Sequence, residues 1–410
     1  MKNQRSRRSL TLAGRAATFV AACLLALSGC AQAPAGQAPA AATTAAASTA
    51  AATAAAWQPA KGELVRLDED GYLYYLDYAK DYYSDEVLRE LDASGATQPG
   101  CSAFFTHSLE GDPLTCRNYD EPHHVSDDDP TFTGLNVVLH CALPGKYESI
   151  AVGDAVYCGE DNPLLTQGGP DKEGFSVDMV DTIPYQCMDG MNEKGLAVSI
   201  LMVDIKEGDE PARMVAGSSI MVRRLLDNCA DVDEAIAYVD SCDVTPSDWQ
   251  SCHLFVTDAA GHSVVIESRN GVVSTIPTDV VTNFYVGSDD IADSYRKGKL
   301  REEAVKLVDE NGDPRYRFGY GHGYHRFTTL ASQLEMHRDA ESETYRTQMT
   351  EDEALVMLQS VAQNEHTSAV GKSWTQFSCL YRNAAKTVSV WSFQNWQKAY
   401  TFNTSGELLS

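Results

Sequence analysis

Residues 98 to 120 read "QPGCSAFFTHSLEGDPLTCRNYD", and the organisation of the chain turns on them. Two apolar-rich runs, 101–107 and 113–120, flank the turn-like "LEGD", which predicts a β-hairpin. Antiparallel pairing then returns Arg117 and Asp120 close to Cys101. A free thiol ionises near about 8.5, and a neighbouring guanidinium favours its thiolate. A cut between Gly100 and Cys101 would supply a second aid. The freed α-amine, ionising near about 7.7–8.0, takes the thiol proton, and Asp120 orients that amine. Cysteine is also a common small buried filler, so the rest of the chain has to decide between these readings.

Downstream the pattern continues in strands. Residues 133–142 and 147–156 flank "LPGK" as a second hairpin, and "DGMNEKGLAVSILMV" (189–203) reads as a tight turn entering a buried strand. Helices are expected over 212–229 and over 231–242, the latter with Asp231 as N-cap. Strands return over 251–277, amphipathic helices over 327–337 and 350–364, and strands over 388–403. Strands and helices come in blocks rather than alternating singly, which points to an α+β fold of antiparallel sheets covered by helices.

Five motifs in one order resemble the choloylglycine hydrolase and penicillin V acylase family of linear amide C–N hydrolases, within the N-terminal nucleophile hydrolase superfamily. They are Cys101 with Arg117, Asn118 and Asp120; the Asn-Glu-Lys-Gly-Leu turn at 192–196; Asn283 in "VVTNFY"; Arg326 in "GYHRFTTLASQL"; and the closing "SWTQFSCLYRNAAKTVSVWSF". The resemblance implies an αββα sandwich over 101–410, a nucleophilic Cys101, self-cleavage after Gly100, and no cofactor or metal. It also implies an oxyanion hole from Asn283 and the backbone N–H of Met202, where many members carry Asn or Tyr. Arg117 and Arg326 are expected to shape the charge around the thiolate and to receive an anionic end of the substrate. The implied activity is hydrolysis of a small linear amide. Acyl transfer to an amine and a silent binding lipoprotein are the alternatives, and the acyl and amine parts of the substrate stay open. Asn192, Glu193 and Lys194 read as turn residues, and His322 and His325 as loop or pocket-wall residues. The run "EPHHVSDDD", with His123 and His124, reads as a solvated acidic loop.

Upstream, residues 1–30 combine a basic start with a short apolar stretch ending in Leu27-Ser28-Gly29-Cys30, the pattern of a lipoprotein signal with Cys30 as the lipidated residue. An extracytoplasmic, membrane-anchored protein is the expectation. Residues 31–60 are uncharged and rich in Ala, Thr and Pro, a tether. Residues 61–100 form the expected pro-segment or light chain, with a helix over 71–91 suggested by Tyr72, Tyr75, Leu76 and Ala79. This layout looks more like the acid ceramidase and isopenicillin N acyltransferase relatives, whose two chains stay associated after cleavage. The net charge is −26, and the leader holds five basic residues and no acid, so the remainder stands near −31. Such a surface repels phosphate backbones and argues against nucleic acid as a partner. Apart from Cys23, Cys30 and Cys101, eight cysteines remain, an even number that suits disulfides in an exported chain.

Overall fold

The structure, a computed structural model, describes residues 57–84, 87, 100–121, 124–126, 129–132, 135–159, 162–166, 169–203, 218–242, 252–269, 272–287, 321–338, 347–363, 366–368 and 371–410. The leader, Cys30, most of the tether and His123 lie outside them.

Strands β1 (Leu64–Arg66) and β2 (Leu73–Asp77) replace the helix expected across 71–91. Four positions matched a helical period, but Leu73, Tyr74, Tyr75 and Leu76 are all buried in succession. That is the signature of a strand covered on both faces. Asp68 Oδ1 accepts from the N–H groups of Gly71, Tyr72 and Leu73 and so shapes the entry to β2. Tyr75 stacks on Phe402 with ring centroids 5.3 Å apart.

The hairpin read from the opening stretch is present as β3 (Gly100–His107) and β4 (Pro113–Glu121). The acidic stretch that follows is not simply a loop, since β5 (His124–Ser126) and β6 (Asp129–Phe132) pair with each other. Next come β7 (Asn136–Cys141), β8 (Ser149–Asp154), β9 (Cys187–Asn192) and β10 (Ala197–Met202). The turn from β9 to β10 needs its glycine. Gly195 has φ +84°, and a Cβ there would lie 2.3 Å from the Asn383 carbonyl oxygen. Asn192 closes the turn as expected, its Oδ1 accepting from the N–H groups of Lys194 and Leu196.

After β10 the strands are β11 (Cys252–Thr257), β12 (Ser263–Arg269), β13 (Val272–Pro277), β14 (Val280–Val281), β15 (His366–Ser368), β16 (Gly371–Arg382), β17 (Thr387–Ser392) and β18 (Ala399–Asn403). One sheet has the order β1-β2-β7-β8-β9-β10-β11-β12-β13, antiparallel except for the parallel β2–β7 pair. The other has the order β14-β3-β4-β16-β17-β18, with β15 on β16. Side chains of β4 bond to β8, β9 and β11, so the two sheets face each other.

Helices Ser218–Asn228 and Val232–Ser241 lie against the first sheet, and Gly321–Met336 and Glu351–Ser360 against the second. This is the expected αββα sandwich. Asp231 caps its helix by accepting from Glu234 N at 2.9 Å. His322 and His325 sit in the first turns of the Gly321–Met336 helix rather than in a loop.

The disulfide expectation is corrected. Cys101 and the eight cysteines beyond it are free thiols, most of them buried among the two sheets. Placed there they act as small core groups. Burial pushes the Cys141 and Cys158 thiols up to about 12.

Candidate active site

The β3–β4 register builds the site. Gly100 lies opposite Asp120, Cys101 opposite Tyr119, and Ala103 opposite Arg117. Opposed residues share a face and faces alternate along a strand. Cys101 and Arg117 therefore point between the sheets, and Asp120 points toward the helices. Cysteine 101 offers its sulfur to one set of groups and its nitrogen to another.

On the sulfur side, Arg117 Nη2 donates to Cys101 Sγ at 3.1 Å and to the Ile200 carbonyl at 2.8 Å. Arg117 Nη1 pairs with Asp189, whose Oδ1 accepts from the Tyr381 hydroxyl at 2.5 Å. The guanidinium also lies 5.3 Å from the Tyr119 ring centroid and 5.8 Å from that of Phe377. Every one of these side chains is buried.

On the nitrogen side, Cys101 N donates to Asn283 Oδ1 at 3.0 Å. The same oxygen accepts from Arg326 Nη2 at 2.5 Å, and Arg326 Nη1 donates to Asp120 Oδ2 at 2.6 Å. Thr375 Oγ1 (2.5 Å) and Gln363 Nε2 (3.1 Å) complete the shell of Asp120. A bulge in β16 between Thr375 and Phe377 lets Thr375 sit opposite Asp120 and Phe377 opposite Tyr119. Asn283 Nδ2 donates to the Met202 carbonyl at 2.8 Å. His253 Nε2 donates to the Thr282 carbonyl at 2.8 Å, which steadies the loop carrying Asn283.

Burial pushes the Cys101 thiol up to about 12, against the pull of Arg117. In the uncut chain Cys101 is therefore a neutral thiol at neutral pH. Burial also raises the Asp120 carboxyl, opposed by Arg326, and the Asp189 carboxyl, opposed by Arg117.

All six residues singled out from the sequence thus meet, Met202 through its carbonyl contact with Asn283. One expectation changes. Arg117 is fully buried and held by Asp189, and Arg326 is 4 % exposed and held by Asp120 and Asn283. Neither guanidinium is placed to take up an anionic substrate end in the uncut chain; their charges are spent inside the protein. Sequence reasoning missed Asp189, Tyr381, His253, Thr375 and Gln363. Asp189 carried a signal, an acid inside the otherwise uncharged buried strand "CMDGMN", and Thr375 and Tyr381 lay within the closing motif without being singled out.

Glycine at position 100 is not imposed by room for a side chain. A Cβ there would meet nothing nearer than the Asp120 carbonyl oxygen at 3.6 Å, ordinary contact. If the chain cuts itself after Gly100, as expected from the sequence, Gly100→Ala should therefore form the 101–410 fragment at a rate within a few-fold of the parent, followed by intact mass over time. Failure to form it would mean that attack on residue 100 needs backbone freedom only glycine has.

The sequence model of the acyl-coenzyme A:6-aminopenicillanic acid acyl-transferase family matches residues 153–387, and the chain belongs to that family. Among solved structures it is similar to a mutant conjugated bile acid hydrolase from Clostridium perfringens, at 15% identity and TM-score 0.46, covering 74% of this chain and 92% of that one. It is also similar to penicillin V acylase from Agrobacterium tumefaciens, at 16% identity and TM-score 0.46, covering 74% and 85%. A third is the Caenorhabditis elegans ortholog of N-acylethanolamine-hydrolyzing acid amidase, at 13% identity and TM-score 0.37, covering 74% and 99%. No curated protein sequence matches the chain.

Proposed function

We propose that the chain is a self-processing cysteine amidase, exported and lipid-anchored at Cys30, that hydrolyses a small linear amide. The observation that carries this is the contact of Arg117 with the Cys101 sulfur while Asn283 holds the Cys101 nitrogen. In processing, Sγ bonds to the Gly100 carbonyl carbon, the Gly100–Cys101 C–N bond breaks, and the thiol proton leaves on the nitrogen. Water then hydrolyses the thioester, giving a Gly100 carboxylate, a free thiol and a free α-amine. In turnover that amine takes the thiol proton and the sulfur attacks the substrate carbonyl. Asn283 and the Met202 N–H hold the oxyanion. The substrate amine leaves with the proton, and water releases the acid from the acyl-enzyme.

The light segment stays after cleavage in this reading, because β2 is hydrogen-bonded between β1 and β7 in the sheet. Burying Leu73 and Leu76 is worth about 1.5–3 kcal/mol each. The Tyr78 hydroxyl to the Asp181 carbonyl (2.5 Å) and the Tyr82 hydroxyl to Asp227 (3.0 Å) add polar ties. N-terminal sequencing of the protein purified without denaturant should find a heavy chain beginning at Cys101 together with its light partner. A panel of acyl amides assayed for released amine then defines the substrate. An uncut chain without turnover would leave only the binding lipoprotein. The family match favours acyl transfer as a second reading. Added amine acceptors decide it, since a transferase yields new amide where a hydrolase yields acid.

A further inference from the structure

Gln363 stands beside both Asp120 and the junction, and the mechanism above leaves it unused. Its Nε2 donates to Asp120 Oδ2 at 3.1 Å, and a Cβ on Gly100 would lie 3.7 Å from that nitrogen. Its main chain is tied down as well. Gln363 N donates to Thr375 Oγ1 at 2.7 Å, and its carbonyl accepts from Thr375 N at 3.0 Å and Gln394 Nε2 at 2.8 Å. A carboxylate can only accept, so the amide nitrogen must face Asp120 and Oε1 must turn away. That Oε1 is buried, without a hydrogen-bond partner among the described residues. A buried acceptor left in that state costs about 1–3 kcal/mol. Keeping one beside the junction makes sense when a donor arrives there later.

Cleavage creates such a donor. In the uncut chain the Cys101 nitrogen carries one hydrogen, given to Asn283 Oδ1. Once cut, it carries two as an amine and three as an ammonium. Resting on the self-cleavage proposed above, we infer that Gln363 Oε1 receives the newly formed α-amine of Cys101, making Gln363 a positioning residue that joins the site only after processing. The titratable and charged groups around that amine are the Cys101 thiol on β3, Arg117 and Asp120 on β4, Arg326 on the helix Gly321–Met336, and the Gly100 carboxylate that the same cut creates. Asn283 is its neutral neighbour. An acceptor favours the protonated amine, so losing it lowers the pH at which the amine becomes a free base.

The test uses the full chain and a substrate-independent probe, iodoacetamide, with alkylation of Cys101 followed by heavy-chain mass against pH. Gln363→Met should still cut, and the acid limb of its alkylation profile should move down by about 0.5–1 pH unit. Gln363→Glu supplies a second arm. As a neutral carboxylic acid it keeps one donor for Asp120 and one acceptor for the amine, so it should follow the parent at the acid end and depart from it as it ionises. A cut Gln363→Met protein with an unchanged limb overturns the inference. So does a Gln363→Met chain that melts like the parent yet does not cut, because Gln363 then acts before processing through Asp120. If Gln363→Met fails to fold, a Gln363→Glu profile matching the parent at every pH overturns it instead. A parent chain that stays uncut at Gly100 removes the proposed function along with the inference, whereas a cut parent with indifferent variants removes the inference alone.

Discussion

Cys101→Ala yields one uncut chain with amide turnover lowered by about 10⁴-fold or more, because both processing and catalysis lose their nucleophile. The fold should tolerate the change. Arg117 Nη2 gives up the sulfur but keeps the Ile200 carbonyl at 2.8 Å, and Nη1 keeps Asp189. The sulfur removed is small, so the expected loss of stability is about 1–2 kcal/mol. Intact mass, a melting curve and turnover on the same preparation separate the two effects. A Cys101→Ala protein still cut after Gly100 would take the cysteine out of self-processing.

Asp189→Leu is expected to act through Arg117. The pair is fully buried, and removing one member leaves a guanidinium charge in the core without its partner, at a cost of about 3–5 kcal/mol. Denaturant titration should show the loss, and processing should slow because the guanidinium no longer rests on the sulfur in one orientation. Combining it with Arg117→Met removes both charges. Stability should then recover by several kcal/mol, since apolar groups often replace a buried ion pair without loss. Processing should not recover, because the sulfur has then lost the guanidinium in contact with it. Recovery of both would reduce Arg117 to a structural role.

Much of the site was legible because its chemistry is local in the chain. Cys101, Arg117 and Asp120 lie on one hairpin, and two short apolar runs around "LEGD" suffice to predict that they meet. The tight turn before β10 was legible through Gly195, and the helix after Asp231 through its cap. Other parts were not. Tyr72 to Ala79 satisfied a helical period over four positions, but sheet pairing on both sides of β2 outweighed it. The even set of cysteines suggested bridges, whereas the fold leaves all nine described thiols free and takes most of them singly as core groups.

From the residues alone come the hairpin and an α+β class of antiparallel sheets covered by helices, because these follow from periodicity, turn chemistry and spacing; the αββα sandwich was what the resemblance carried by the ordered motifs implied. The tertiary structure decided which charges balance which. Asp189 lies 72 residues from Arg117, and Gln363 lies 243 from Asp120, so only the packing of the sheets and helices could bring them together. It also decided that the segment before the hairpin supplies strands β1 and β2 of the sheet, since a strand exists only through its partners.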